Sequence, residues 1–175
     1  MTGTRVCTLR VAPSLPQTPK LYATGIGWGR IFFTTIGTRI LQGRAIDERD
    51  TASSPHVAMV TEAFAKHFFP HENPIGKQFG KFSASHAGDY EIVGVTEDTR
   101  YVPWDMDKPP TPVFFVPITQ RIIYGNRRSD SMETRLQYVY FITLRLAPEV
   151  RSVQAQVRRV LKEINPDLPI LNMQS

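Results

Sequence analysis

Apolar and polar positions along the chain change rhythm at a few places, and those changes predict the elements. Residues 57–60 form a short unbroken apolar run, the pattern of a buried strand. Thr61 follows and can cap a helix whose first turn holds Glu62, where the positive end of the helix dipole favours a carboxylate. Phe64 and Phe68 stand four apart and so share a helix face. Pro70 disfavours helical geometry at Phe69 and ends the helix there. Asn73-Pro74 and Gly76 make a turn, and residues 90–95 read as a strand.

The last forty residues repeat this order. Residues 138–146 are β-branched and aromatic, hence a strand. Pro148 suits a first helical position, and Val150, Val153, Val157, Val160, Leu161 and Ile164 form one apolar stripe at helical spacing. Arg151, Gln154, Arg158 and Lys162 take the opposite face, so the stripe predicts core packing, with a partner-helix groove as the alternative. Asn165-Pro166 ends the helix, and residues 168–171 form a short strand. Two strand-helix-strand units predict an α+β fold of ferredoxin-like or porter type, with helices on one face of a mixed sheet, as one domain or as two subdomains.

The remaining segments are less regular. Residues 1–29 read as an extended, loop-rich lead-in, and residues 31–41 as a short helix running into an extended segment closed by Gly43. Residues 47–51 make a polar turn. Residues 97–136 form an irregular insertion with one apolar strand at 113–116 and an exposed excursion at 121–133. Trp104 lies in that insertion, either packed under the loop or presented to a partner.

Composition narrows the function classes. A chain of 175 residues with 41% apolar and 21% charged residues can build a real core. The net charge is +5, but the basic residues are dispersed and the aromatics cluster in apolar runs, which argues against a nucleic-acid groove. Cys7 is the single cysteine, so neither an internal disulfide nor a thiolate cluster is available. The first twenty residues lack an apolar core of signal-peptide length, and no run reaches the ~20 apolar residues of a membrane span. The chain as written therefore reads as soluble.

Candidate chemistry is sparse. No Gly-x-Ser-x-Gly elbow occurs. Gly25, Gly27 and Gly29 match neither a dinucleotide fingerprint nor a phosphate loop, and Gly76-Lys77 lacks both the upstream glycine and the following hydroxyl of a nucleotide loop. His67 and His71 are four apart with Pro70 breaking the helix between them, and His56 and His86 complete the histidines. Asp47, Glu48 and Asp50 do not match a calcium loop; they read as a solvated turn with a carboxylate pairing Arg44. The expectation is a protein without catalytic residues, cofactor or metal. A free-standing ligand-binding or adhesion module and a metal-assisted hydrolase using His67 or His71 are the alternatives.

The ordered segment 32–80 resembles the periplasmic core domain of MacB-type, FtsX-like ABC transporter permeases. The residues that carry the likeness are Phe32-Phe33, Ile36-Gly37, Ile40-Leu41, Gly43-Arg44, the acidic turn with Asp50-Thr51, the 57–60 strand, the Glu62 to Ala65 helix start, Phe69-Pro70, Pro74 to Lys77 and the 90–95 strand with Gly94. The closing strand, helix and Asn-Pro-Asp-Leu-Pro-Ile are similar too. The resemblance implies one extracytoplasmic domain over 1–175, with 30–96 and 137–175 as its β-α-β-containing parts. It marks Gly43, Arg44, Asp50, Phe64, Phe68, Pro70, Pro74, Gly76, Lys77 and Gly94 as structural motif residues, beside Trp104 as a partner contact. It also implies a place at the periplasmic face of a bacterial inner membrane and a non-catalytic part in carrying ATP-driven conformational change. Its implied partners are the membrane-embedded remainder of a permease, an ABC ATPase, and an adaptor or second copy, with no nucleic acid.

Overall fold

A computed structural model describes residues 5–10, 22–25, 29–98, 110–136, 141–147, 153–167 and 172–174. The chain divides into two compact units, Pro19–Tyr138 and the pair of segments Met1–Thr18 and Val139–Ser175.

The larger unit is built on a mixed sheet. Its strands are β2 (Tyr22–Gly25), β3 (Ile40–Gly43), β4 (Val57–Thr61), β5 (Gln78–Phe79), β6 (Tyr90–Thr96) and β7 (Val113–Val116). They lie in the order β2-β7-β4-β6-β3, with β5 also pairing β6. β4 runs parallel to β6, and helix α2 (Glu62–Phe68) is the crossover between them, as the strand-helix-strand pattern predicts. Every residue of β4 and β7 is buried, because both faces of the sheet are covered.

Neighbouring residues of a strand point to opposite faces, and β7 shows what each face receives. Phe114 meets Phe64 of α2 at 6.1 Å between ring centres, while Phe115 meets Phe33 of helix α1 (Gly29–Ile36) at 5.1 Å. The expected one-faced arrangement is therefore corrected: α1 and α2 cover opposite faces. The α+β class holds.

Segment 97–136 supplies β7 at the expected strand 113–116, and this strand sits between β2 and β4. The exposed excursion expected at 121–133 is corrected, because the segment ends in helix α3 (Arg127–Leu136) and buries part of this run. Gln120, Ile122, Tyr124 and Glu133 are buried. Their mixed polar and apolar order has no period of its own, which is why the run reads as exposed.

In the smaller unit, β1 (Arg5–Arg10) lies between β8 (Phe141–Leu146) and β9 (Asn172–Gln174), antiparallel to both. Helix α4 (Val153–Ile164) connects β8 to β9, so the second strand-helix-strand unit stands on its own sheet and its strands flank β1. The lead-in 1–29 thus contributes one strand to each sheet. The expected strand at 168–171, and Pro148, Val150 and Arg151, lie outside the described residues. On α4, Val153, Val157 and Leu161 are half-buried, while Val160 and Ile164 are exposed.

Candidate functional site

The motif residues gather around the junction of β3, β6 and α2. Gly43 and Gly94 are register partners across the β3–β6 ladder. A Cβ on Gly43, whose φ is +69°, would fall 2.2 Å from the Val93 carbonyl oxygen, and one on Gly94 would fall 2.2 Å from that of Arg44. Backbone blocks both positions, so the close crossing admits only glycine on either strand.

Just past Gly43, Arg44 donates from Nη1 and Nη2 to the two carboxylate oxygens of Asp50 at 2.7 and 2.8 Å. Asp50 is buried and also accepts from the Asp47 amide at 2.9 Å. Burial raises the Asp50 pKa, but the Arg44 hydrogen bonds, the Asp47 amide and the Arg44 charge outweigh it and hold the carboxyl below its ordinary value. The same bidentate pairing to Asp50 raises the Arg44 pKa. Asp47 is held well below the carboxylate range by hydrogen bonds from Arg49. The sequence placed a carboxylate on Arg44, and the bond to Asp50 is that pairing; in place of a fully solvated turn it is a half-buried brace.

Gln120 completes this brace, and nothing local in the sequence marks it. Its Oε1 accepts from the Val57 amide at 2.9 Å, and its Nε2 donates to the oxygens of Thr51, Ser54 and Pro55 at 3.0–3.1 Å. Thr119 donates to the Asp50 carbonyl at 3.2 Å. One buried amide therefore ties the loop before β4 to the turn after β7.

Helix α2 starts and stops as its residues dictate. The Thr61 hydroxyl accepts from the Phe64 amide at 3.3 Å, and Asp98 accepts from the Ala63 amide at 2.8 Å, so two orphan donors of the first turn are satisfied. Phe64 is buried, and Phe68, 4.5 Å away between ring centres on the same face, is exposed at the rim. Pro70 follows the helix and is exposed. The next turn is stitched to β6: the Gly76 amide donates to Ile92 O at 2.8 Å and the Ile92 amide to Lys77 O at 2.9 Å. Gly76 has φ +79°, and Pro74 is buried beneath this turn. Lys77 pairs with Glu72 on the surface, worth little in stability. Trp104 lies outside the described residues.

A second cluster went unread in the sequence. The Lys81 ammonium pairs with the Glu133 carboxylate of α3, and both side chains are nearly sealed, at 10% and 2% exposure. Tyr90 donates its hydroxyl to the other Glu133 oxygen at 3.0 Å. The rings of Tyr90, Phe82, Phe114 and Tyr124 surround the ammonium at 5.1–5.9 Å. Desolvation lowers the Lys81 pKa against the raising pull of Glu133, and burial with the Glu133 charge pushes both tyrosine hydroxyls up. His86 and Asp89 pair at 2.9 Å nearby, and the His86 ring meets Tyr124 at 4.6 Å.

Two open grooves lie on the larger unit. One, of about 510 Å³, runs between β3 and the end of α2, past Leu41, Glu62, Lys66, Phe69 and Pro74. The other, of about 320 Å³, has the Arg44–Asp50 pair in its wall. His67 is exposed and stacks edge-on against Phe68, and His71 sits beyond Pro70 with φ +67°. Among the described residues no three His, Cys, Asp or Glu side chains converge as metal ligands, and no helix is long and apolar enough to cross a membrane. Among the described residues the arrangement braces a sheet.

No curated protein sequence matches the chain at a significant level. Among solved structures, the periplasmic region of MacB from Actinobacillus actinomycetemcomitans is similar, with a TM-score of 0.56 and 20% identity over 99% of this chain and 69% of that one. The extracellular domain of the ABC-type transporter YknZ from Gram-positive bacteria aligns with a TM-score of 0.47 and 14% identity, over 98% of this chain and 80% of that one. The first shares the fold. The profile of the MacB-like periplasmic core domain matches residues 8–160. By that match over most of its length, the chain belongs to the family of MacB-like periplasmic core domains of ABC transporter permeases.

Proposed function

We propose that this chain is a non-catalytic extracytoplasmic part of an ABC transporter permease, which passes ATP-driven movement of the membrane helices outward and contacts substrate or a partner protein. The family match over residues 8–160 carries this reading. The braces around Gly43, Arg44, Asp50 and Gly94 support it, because an element that transmits force must not deform locally. In this reading Trp104 is a contact for an adaptor or a second copy, and the domain sits at the periplasmic face of the membrane.

The test uses the parent permease reconstituted with its ATPase, carrying Cys7→Ser and fluorophores on Ser53→Cys and Gln156→Cys, one on each compact unit. Addition of ATP with orthovanadate is expected to change the energy transfer between them. Transfer that ignores nucleotide while hydrolysis proceeds would overturn the transmission role.

A further inference from the structure

Helix α3 is attached in an unusual way. A surface helix is ordinarily held by an apolar stripe. Among its described residues, those buried are Ser129 and Glu133. Among the described side chains Met132 is half-buried beside them, and α3 lies against β2. Polar ties complete the attachment: the Asn126 side chain accepts from the Ser129 amide at 2.9 Å, and Asp130 accepts from the Tyr124 amide at 2.7 Å. Immediately before the helix, Gly125 has φ +69° with open space where a Cβ would stand. The chain therefore has a pivot on one side of α3, and among the described residues the helix puts a buried charge, Glu133, into its contact with the sheet.

We propose that α3 is a latch, pivoting at Gly125 and held shut on the sheet by the Lys81–Glu133 pair with the Tyr90 hydroxyl. The physical reason lies in what opening recovers. Two charges in a sealed site have lost their hydration, and their mutual attraction only partly offsets that loss. When α3 lifts away, both charges regain water, so this helix opens more readily than one anchored by the same area of apolar surface. Removing one partner has a different consequence, since the remaining charge is buried alone and drives the latch open. Replacing both by apolar side chains of similar size, with Tyr90→Phe so that no buried hydroxyl loses its acceptor, removes the desolvation cost and locks it. The open state uncovers Lys81 and the ring of Tyr90, while the β4 and β6 core has no part in the motion. This latch is independent of the transport reading, since it concerns one helix and one unit.

Amide hydrogen exchange of the 175-residue chain tests it, comparing α3 with β4 and β6. Glu133→Gln keeps the shape and an oxygen for Tyr90 but leaves Lys81 unpaired; exchange in α3 is expected to rise about tenfold or more with β4 and β6 unchanged. An equal rise in β4 and β6 would make the pair part of the global core, and no rise in α3 would show that it is not the catch; either overturns the proposal. The triple variant Lys81→Met, Glu133→Leu and Tyr90→Phe, which leaves none of the three polar groups behind, is expected to slow α3 exchange below the unaltered chain. Exchange in α3 that stays the same or quickens in that variant overturns it too.

Discussion

Helices α2 and α3 belong to the same unit and grip it by opposite means. α2 is seven residues long and inserts Phe64, which is buried against Phe79 and Phe114 at 5.1 and 6.1 Å between ring centres. α3 is ten residues long and inserts Glu133. Apolar burial has no hydrated alternative, so α2 leaves the sheet only when the core itself comes apart. A buried charge has one, so α3 can leave alone. The longer helix is the less firmly fixed because the chemistry of the anchor, and not the number of helical turns, decides whether an element opens with the fold or apart from it.

The largest effect should come from the apolar anchor. Phe64→Ala removes a buried ring that packs against Phe68, Phe79 and Phe114 and is expected to lower the stability of the larger unit by about 4 kcal/mol in chemical denaturation. Exchange in α2, β4 and β6 should quicken together. A loss below about 1 kcal/mol, or exchange confined to α2, would erase the distinction between the two helices.

The contrast also explains what could be read from the sequence. The β4-α2 unit was legible because strand, cap, aromatic anchor and proline stop lie side by side, each signal local. Arg44 and Asp50 are six residues apart, so their pairing was legible as well. Lys81 and Glu133 are 52 residues apart, and in isolation each looks like any solvated charge. Glu133 stands in a run made mostly of Arg, Ser, Asp and Thr, with Met132 and Leu136 its only apolar neighbours, and only the sheet opposite turns it into an anchor. Gln120 was hidden for the same reason. The placement of β1 between β8 and β9 could not be read either, because a strand's partners at the far end of the chain leave no mark on its own alternation.

An intermediate case sharpens the comparison. The Arg44–Asp50 brace is ionic like the α3 anchor, but its arginine side chain is 36% exposed and water already screens that side. Arg44→Ala should cost about 2 kcal/mol, less than for a fully sealed pair. The carboxyl of Asp50 is held below its ordinary value of 3.8 in the fold, so its charged form is the one that stabilises. That contribution is complete above the ordinary value and is lost as pH falls through the lower, folded one. Denaturation of the unaltered chain should therefore show the term intact at pH 5 and fading below about pH 4, and in Asp50→Asn that part of the acid slope should be absent. An unchanged slope in the variant would mean that Asp50 takes no part in acid unfolding.

The smallest effect gives the most direct comparison, because it makes one kind of change in both helices. Thr61 caps α2 and Asn126 caps α3, each accepting from an amide three residues on. Loss of either cap to alanine should cost about 1 kcal/mol at the helix it starts. For Thr61→Ala the cost should spread, because the same hydroxyl also accepts from the Val113 amide at 3.1 Å and so joins α2 to β7; the denaturation midpoint should fall. For Asn126→Ala the cost should stay in α3, with amide exchange there about fivefold faster and the midpoint unmoved, since a helix that already opens alone adds little to global unfolding. Should the two variants lower the midpoint equally, α3 would have to be counted with the core, and the difference between an apolar and a charged anchor would not govern how this unit opens.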